Sequence, residues 1–202
     1  MLTVYHLNES RSVRILWLLE EIGAPYQIVR FERDATRRAP AELVEVHPLG
    51  KAPVIRDGDL VLAESGAIVE YLVERHGGGR LAPRPDTAAW GLYLQWLHFA
   101  EGSAMFPLLL DLFLGMGMIP GGKGGLLGGF VKTELARQLD YIEQELGDKQ
   151  HLLGAFTAAD VMLGFPLDLA ERQGHLAGRP RLLAYVERLR ARPAYVRARA
   201  AA

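Results

Sequence analysis

Every stretch of this chain that reads as β-strand lies before residue 63, and everything past residue 85 reads as helix or loop. A chain patterned this way has nothing in its second part to pair with a sheet, so its helices must bury their apolar faces against one another. Residues 2–7 are rich in β-formers, and the segment that follows puts Ile15, Leu18, Leu19 and Ile22 on one helical face. Gly23 and Pro25 stop that helix, and residues 26–31 alternate as a second strand. A right-handed crossover makes the two strands parallel. A short helix is expected near residues 41–46. Pro53–Ile55 and Leu60–Leu62 flank Asp57-Gly58-Asp59, a tight-turn signal for a β-hairpin. A helix from Ser65 to about His76, ended by three glycines, completes the order βαβαββα.

The Gly- and Pro-rich residues 77–86 are the expected linker, giving a first domain at 1–76 and an all-helical domain at 87–202. In the second domain a long helix runs from about Thr87 to Leu114 with Pro107 as a kink or break. Residues 115–129 hold eight glycines and read as a mobile loop. Helices resume at about 130–146, 158–173 and 181–191. Thr157 and Asp160 have capping-box spacing, which assigns them to folding.

Composition removes several functions. The chain has no cysteine, so it has no disulfide, thiolate metal site or cysteine nucleophile, and any sulfur chemistry must come from a bound thiol. Its six histidines lack metal-ligand spacing, and no metal is expected. With 23 basic and 24 acidic residues interspersed, no nucleic-acid role is indicated; the basic concentration at Arg179–Arg199 reads as a solvated helical tail. No signal peptide is visible, so the cytoplasm is the expected location. No apolar run approaches the roughly 20 residues of a transmembrane span, the nearest being the interrupted Met105–Met118.

Two motifs carry chemistry. HPLGKAPVI at 47–55 brings Ala52-Pro53 into a strand after a loop, and AESGAIVEYL at 63–72 puts Glu64 and Ser65 where a strand meets a helix start. Unpaired N–H groups and the positive end of the helix favour an anion there, although a serine at that place is also a common plain N-cap. Before the first helix, Ser10 is the hydroxyl closest to the helix start, and it too reads either as an N-cap or as a donor.

Together these motifs resemble the glutathione transferase superfamily. The N-terminal stretch YHLNESRSVRILWLLEEIG, with RDATRRAPAELVEVHPLG, is most similar to its fungal and bacterial subgroup typified by a yeast microsome-associated enzyme. FAEGSAMFPLL and FTAAD also fit the family pattern. The resemblance implies an α/β thioredoxin-like domain joined to an all-α helical-bundle domain, and glutathione as co-substrate. In that family the proline at the place of Pro53 is cis, which lets the Ala52 backbone pair with the glutathione cysteine as a short β-augmentation. Ser65 would bind the γ-glutamyl carboxylate, Glu64 its ammonium, and Lys51 would face the glycyl carboxylate, with Arg11 also at the site. Glu101 stands where related enzymes place an acid reaching across a homodimer.

The family's chemistry is thiol activation. A free thiol with a pKa near 8.5 is a few per cent ionised at pH 7, so lowering it by ~2 units needs ~2.7 kcal/mol of preferential thiolate stabilisation. Other classes use a tyrosine or a serine as the donor. Ser10 is the leading candidate here, Tyr5 has the tyrosine classes' spacing to Arg11, and Asn8 lies nearest the serine classes' position. Met105, Phe106, Leu109 and Phe113 are the expected lining of a pocket for a hydrophobic electrophile. Conjugation is thus the expected reaction, within detoxification. The alternatives are glutathione-dependent peroxide reduction, or a non-catalytic scaffold that keeps the fold.

Overall fold

The computed structural model describes residues 1–202, which fold as two compact units: Met1–Arg84 together with Arg190–Ala202, and Pro85–Leu189.

In the first unit, β1 (Thr3–Leu7), α1 (Val13–Ile22), β2 (Gln27–Phe31), α2 (Leu43–Val46), β3 (Val54–Asp57), β4 (Leu60–Ala63) and α3 (Ser65–Arg75) follow the expected order. The four strands form one sheet in the order β2-β1-β3-β4. β1 is parallel to β2, with Val4 opposite Ile28, as a helical crossover requires. β3 runs antiparallel to both β1 and β4. The apolar face of α1 packs with α3 in this unit, and Ile15, Leu16, Leu18, Leu19, Ile68, Val69 and Leu72 are fully buried.

The basic tail corrects the sequence reading. It is not a solvated extension of the helical domain, because α9 (Pro193–Ala201) packs on α1 and buries Ala194 and Ala198. Arg192 forks onto Glu21, Nε to Oε1 at 2.6 Å and Nη2 to Oε2 at 2.9 Å, while Trp17 Nε1–H donates to the same Oε1 at 2.8 Å. Arg197 pairs with Glu20 at 2.6 Å, which holds that carboxyl below its ordinary value, and Tyr195 sets its ring edge-on to Trp17. The arginines therefore complement acids on α1, a match visible only when sequence-distant helices meet. Glu21→Ala strips the acceptor from Trp17 and the counter-charge from Arg192. It is expected to cost about 2 kcal/mol and to lower Tm by roughly 4–8 °C in a thermal melt.

The second unit holds α4 (Ala88–Phe99), a π-helical segment (Ala100–Met105), α5 (Phe106–Gly115), α6 (Leu126–Leu146), α7 (Ala158–Arg172) and α8 (Pro180–Arg190). Pro107, which has no N–H to give, is the second residue after the π segment, and the helix passes through both. Ala88–Gly115 is consequently one 28-residue stretch, long and apolar enough to cross a membrane by length and composition. That corrects the expectation drawn from uninterrupted apolar runs, since the helix continues where the run is broken. Within its most apolar window 44% is buried inside the protein, where α4 packs on α7 and α5 on α6.

The glycine-rich segment is shorter than expected, because α6 begins at Leu126. A tie spans it: Lys123 Nζ reaches Asp111 Oδ2 at 2.5 Å, and His175 Nε2 meets the same oxygen at 3.0 Å. Burial of Asp111 works against its charge, yet these two partners hold its carboxyl below the ordinary value.

Candidate functional site

Sheet register gathers the motif residues at one edge. Tyr5 lies opposite Val54 in an antiparallel pair, so the C-terminal end of β1 and the start of β3 share that edge. Val54 in turn lies opposite Ala63, which brings the end of β4 and the start of α3 to the same place. Three turns meet there: residues 8–12 before α1, Ala52-Pro53 before β3, and Glu64-Ser65 at the junction of β4 and α3. The Ala52–Pro53 peptide is cis, and Pro53 is buried.

Glu64 adopts φ 72° and ψ 118°, a conformation costing a non-glycine residue on the order of 1–3 kcal/mol. It is the residue before the helix, so Ser65 is the first helical residue and not its cap. Ser65 is 4% exposed, and no side chain caps the start of α3. A Cβ built on Gly66 would meet nothing within 4 Å, so the first turn of α3 is open at that position. The arrangement offers a carboxylate-sized anion the open end of a helix, with the exposed Glu64 carboxylate beside it. Lys51 is exposed and Ala52 half-buried.

At the first turn the structure separates the three candidate donors. Ser12 stands immediately before α1, so Ser10 is two residues upstream of the helix cap. Ser10 and Ser12 are both buried, and their hydroxyl oxygens are 2.7 Å apart. Ser12 N–H donates to Ser10 Oγ at 3.2 Å, and Leu7 N–H donates to Ser12 Oγ at 3.2 Å. His6 Nδ1 lies 2.8 Å from Ser12 Oγ. The His6 ring is 3% exposed, and burial, followed by the charges of Arg30 and Arg199, lowers its pKa to about 4.

Side chains alternate along a strand, so Tyr5 points to the face opposite His6. There its hydroxyl accepts from Arg56 Nε at 3.1 Å, and its ring lies 6.5 Å from that of Phe31. Asn8 is a strut: Oδ1 accepts Arg33 N–H at 2.9 Å, its carbonyl accepts Arg33 Nε at 3.2 Å, and its N–H donates to Phe31 O at 3.1 Å. Arg11 is half-buried in the same turn.

In the second unit, Glu101 lies on the π segment and is half-buried. The four expected pocket residues do not share one environment. Met105 is 3% exposed in the core of that unit, Leu109 is intermediate, and Phe106 and Phe113 are 61% and 36% exposed. In the sequence His6 counts only as an isolated histidine without metal-ligand spacing, and Ser12 carries no assigned role. Their signal was a histidine sharing the inward face of β1 with Val4 and a second serine two places after Ser10.

Residues 1–74 match the family model for the glutathione S-transferase N-terminal domain. Glutathione S-transferase 3 of Schizosaccharomyces pombe is 34% identical over 192 residues, covering 89% of this chain and 78% of that protein. Glutathione S-transferase 1 of Saccharomyces cerevisiae is 29% identical over 189 residues, covering 84% and 81%. Among solved structures, a glutathione S-transferase from Actinobacillus pleuropneumoniae superposes with a TM-score of 0.89 at 33% identity, covering 100% of this chain and 92% of that one. A glutathione transferase family member from Pseudomonas fluorescens, solved with two glutathione bound, gives 0.84 at 28% identity, covering 98% and 91%. Matching along most of the chain, at the level of both sequence and fold, these relatives make the chain a member of the glutathione transferase family.

Proposed function

We propose that the edge formed by Ala52-Pro53, Glu64-Ser65 and the Ser10 turn binds glutathione, and that Ser10 donates a hydrogen bond to its sulfur. The observation that carries this reading is the convergence of an uncapped helix start, a strained Glu64 and a buried serine pair on one sheet edge. Ser65 and the first N–H groups of α3 take the γ-glutamyl carboxylate, Glu64 its ammonium, the Ala52 backbone the cysteinyl segment, and Lys51 and Arg11 add positive charge at the site. The thiol proton leaves to solvent. The thiolate then attacks an electrophilic carbon, forming an S–C bond, and where a halide is displaced it departs with the bonding pair. Proximity and thiolate stabilisation supply the rate.

Ser10 is favoured over Tyr5 because the Tyr5 hydroxyl lies on the other sheet face with Arg56, and over Asn8 because the Asn8 side chain is engaged by Arg33. The electrophile is a hydrophobic small molecule, and the exposed Phe106 and Phe113 are the residues offered for its pocket. A cytoplasmic homodimer serving detoxification, with Glu101 reaching the partner's glutathione, belongs to the same proposal and rests on the family resemblance.

The test is a pH titration of thiolate absorbance with glutathione bound. Saturable binding with a depressed thiol pKa, kept in Tyr5→Phe and lost in Ser10→Ala, supports the reading. Absence of binding returns the chain to a scaffold role, and turnover of hydroperoxides without conjugation favours peroxide reduction.

A further inference from the structure

The protons around the two serines fix more than the identity of the donor. A serine oxygen has one proton to give and two lone pairs to receive. Leu7 N–H occupies one lone pair of Ser12 Oγ, and Ser12 N–H occupies one of Ser10 Oγ. The rest depends on His6. Its Nδ1 is 2.8 Å from Ser12 Oγ, while its Nε2 is buried without a hydrogen-bond partner. A proton on Nε2 would be an orphaned buried donor, which proteins avoid more strictly than an orphaned lone pair. A second proton on the ring is opposed by burial and by the facing charges of Arg30 and Arg199, so near neutral pH the ring carries one.

We infer that His6 is a positioning residue, protonated on Nδ1, which donates to Ser12 Oγ and thereby turns the Ser10 hydroxyl proton out toward the ligand. With His6 Nδ1–H and Leu7 N–H on its two lone pairs, Ser12 Oγ has no room to accept from Ser10. Its own proton has two acceptors left, Ser10 Oγ at 2.7 Å and Leu7 O at 3.2 Å, and the shorter contact prevails. Ser10 Oγ is then filled by Ser12 N–H and Ser12 O–H, and the only proton without an internal acceptor is its own. In the other tautomer Ser12 donates to His6, Ser10 donates to Ser12, and the site presents a serine lone pair, which repels a thiolate. The polarity of a relay on a buried ring thus decides whether the site stabilises the thiolate or the thiol. The inference rests on the reading of Ser10 as the sulfur's donor.

Two measurements test it. On the wild-type protein with ring-labelled histidine, nitrogen NMR near neutral pH is expected to show His6 neutral with the proton on Nδ1. An Nε2-protonated or a charged ring overturns the inference, whatever Ser10→Ala does. In a folded His6→Phe variant the bound glutathione thiol is expected to titrate about one unit higher, a tenfold loss of thiolate at low pH. Glutathione affinity measured below that pKa should stay within about twofold. In a Ser10→Ala background the same His6→Phe change is expected to shift nothing further. An unchanged thiol pKa in the single variant, or an equal shift in both backgrounds, refutes the relay. A Ser10→Ala protein with a wild-type thiol pKa instead removes the Ser10 assignment on which the relay acts.

Discussion

Ser10→Ala is expected to raise the pKa of the bound glutathione thiol by about two units and to reduce kcat/KM about 50-fold near pH 6.5. If the enzyme holds the thiol about two units below its free value near 8.5, half of it is thiolate at about pH 6.5; without that stabilisation about one per cent is. The missing hydrogen bond is worth ~2.7 kcal/mol only while the two forms differ in ionisation. The deficit should therefore shrink as pH rises and vanish above about pH 9.5, where both thiols are ionised. Because the folded site lowers this pKa, the loss appears on the acid side. A Ser10→Ala deficit of equal size at every pH would mean that the serine serves geometry and not ionisation, and the assignment would fail.

The largest expected stability effect lies in the second unit, at Asp160, which is fully buried. Its Oδ1 accepts the Leu152 N–H at 3.0 Å and the Tyr185 hydroxyl at 2.6 Å. Its Oδ2 accepts both the N–H and the hydroxyl of Thr157, at 2.8 and 3.1 Å. One carboxylate thus caps α7, pins the loop before it and anchors α8 through Tyr185, whose own ionisation burial pushes well up. Asp160→Ala leaves four buried donors without an acceptor. At about 1 kcal/mol each the loss is about 4 kcal/mol, roughly 8–16 °C in Tm. A denaturant melt showing less than about 1 kcal/mol would mean that those donors find other acceptors and that the carboxylate is replaceable.

These two positions differ in how visible they were beforehand. Thr157 and Asp160 announce a capping box by spacing alone, because a capping box is made by residues three apart on one turn. The sequence could not reveal that Tyr185 and Leu152 converge on the same carboxylate, since both contacts need the unit folded. At the candidate site the motif residues were legible as strand and helix termini. Which hydroxyl is available was not: it depends on Tyr5 facing away from His6, on Asn8 being engaged by Arg33, and on Ser12 lying between His6 and Ser10. The expected electrophile lining rests on helical register, which says which residues share a face but not whether that face is covered. Met105 is covered and Phe106 is not.

By itself the sequence determined the order βαβαββα, the change to helix beyond residue 85, and the turns carrying Ala52-Pro53 and Glu64-Ser65. All of these follow from short-range rules of periodicity, turn chemistry and proline geometry. It also determined that no protein thiol takes part, since there is no cysteine to supply one. Tertiary structure decided the rest. It drew the arginine-rich C-terminal helix onto α1 through Glu20 and Glu21, and set His6 beneath the two serines. Each of these depends on groups distant in sequence, or on the cost of burying a charge or an unpaired donor. Periodicity along a chain carries no record of that cost, which is set by the neighbours that folding brings together.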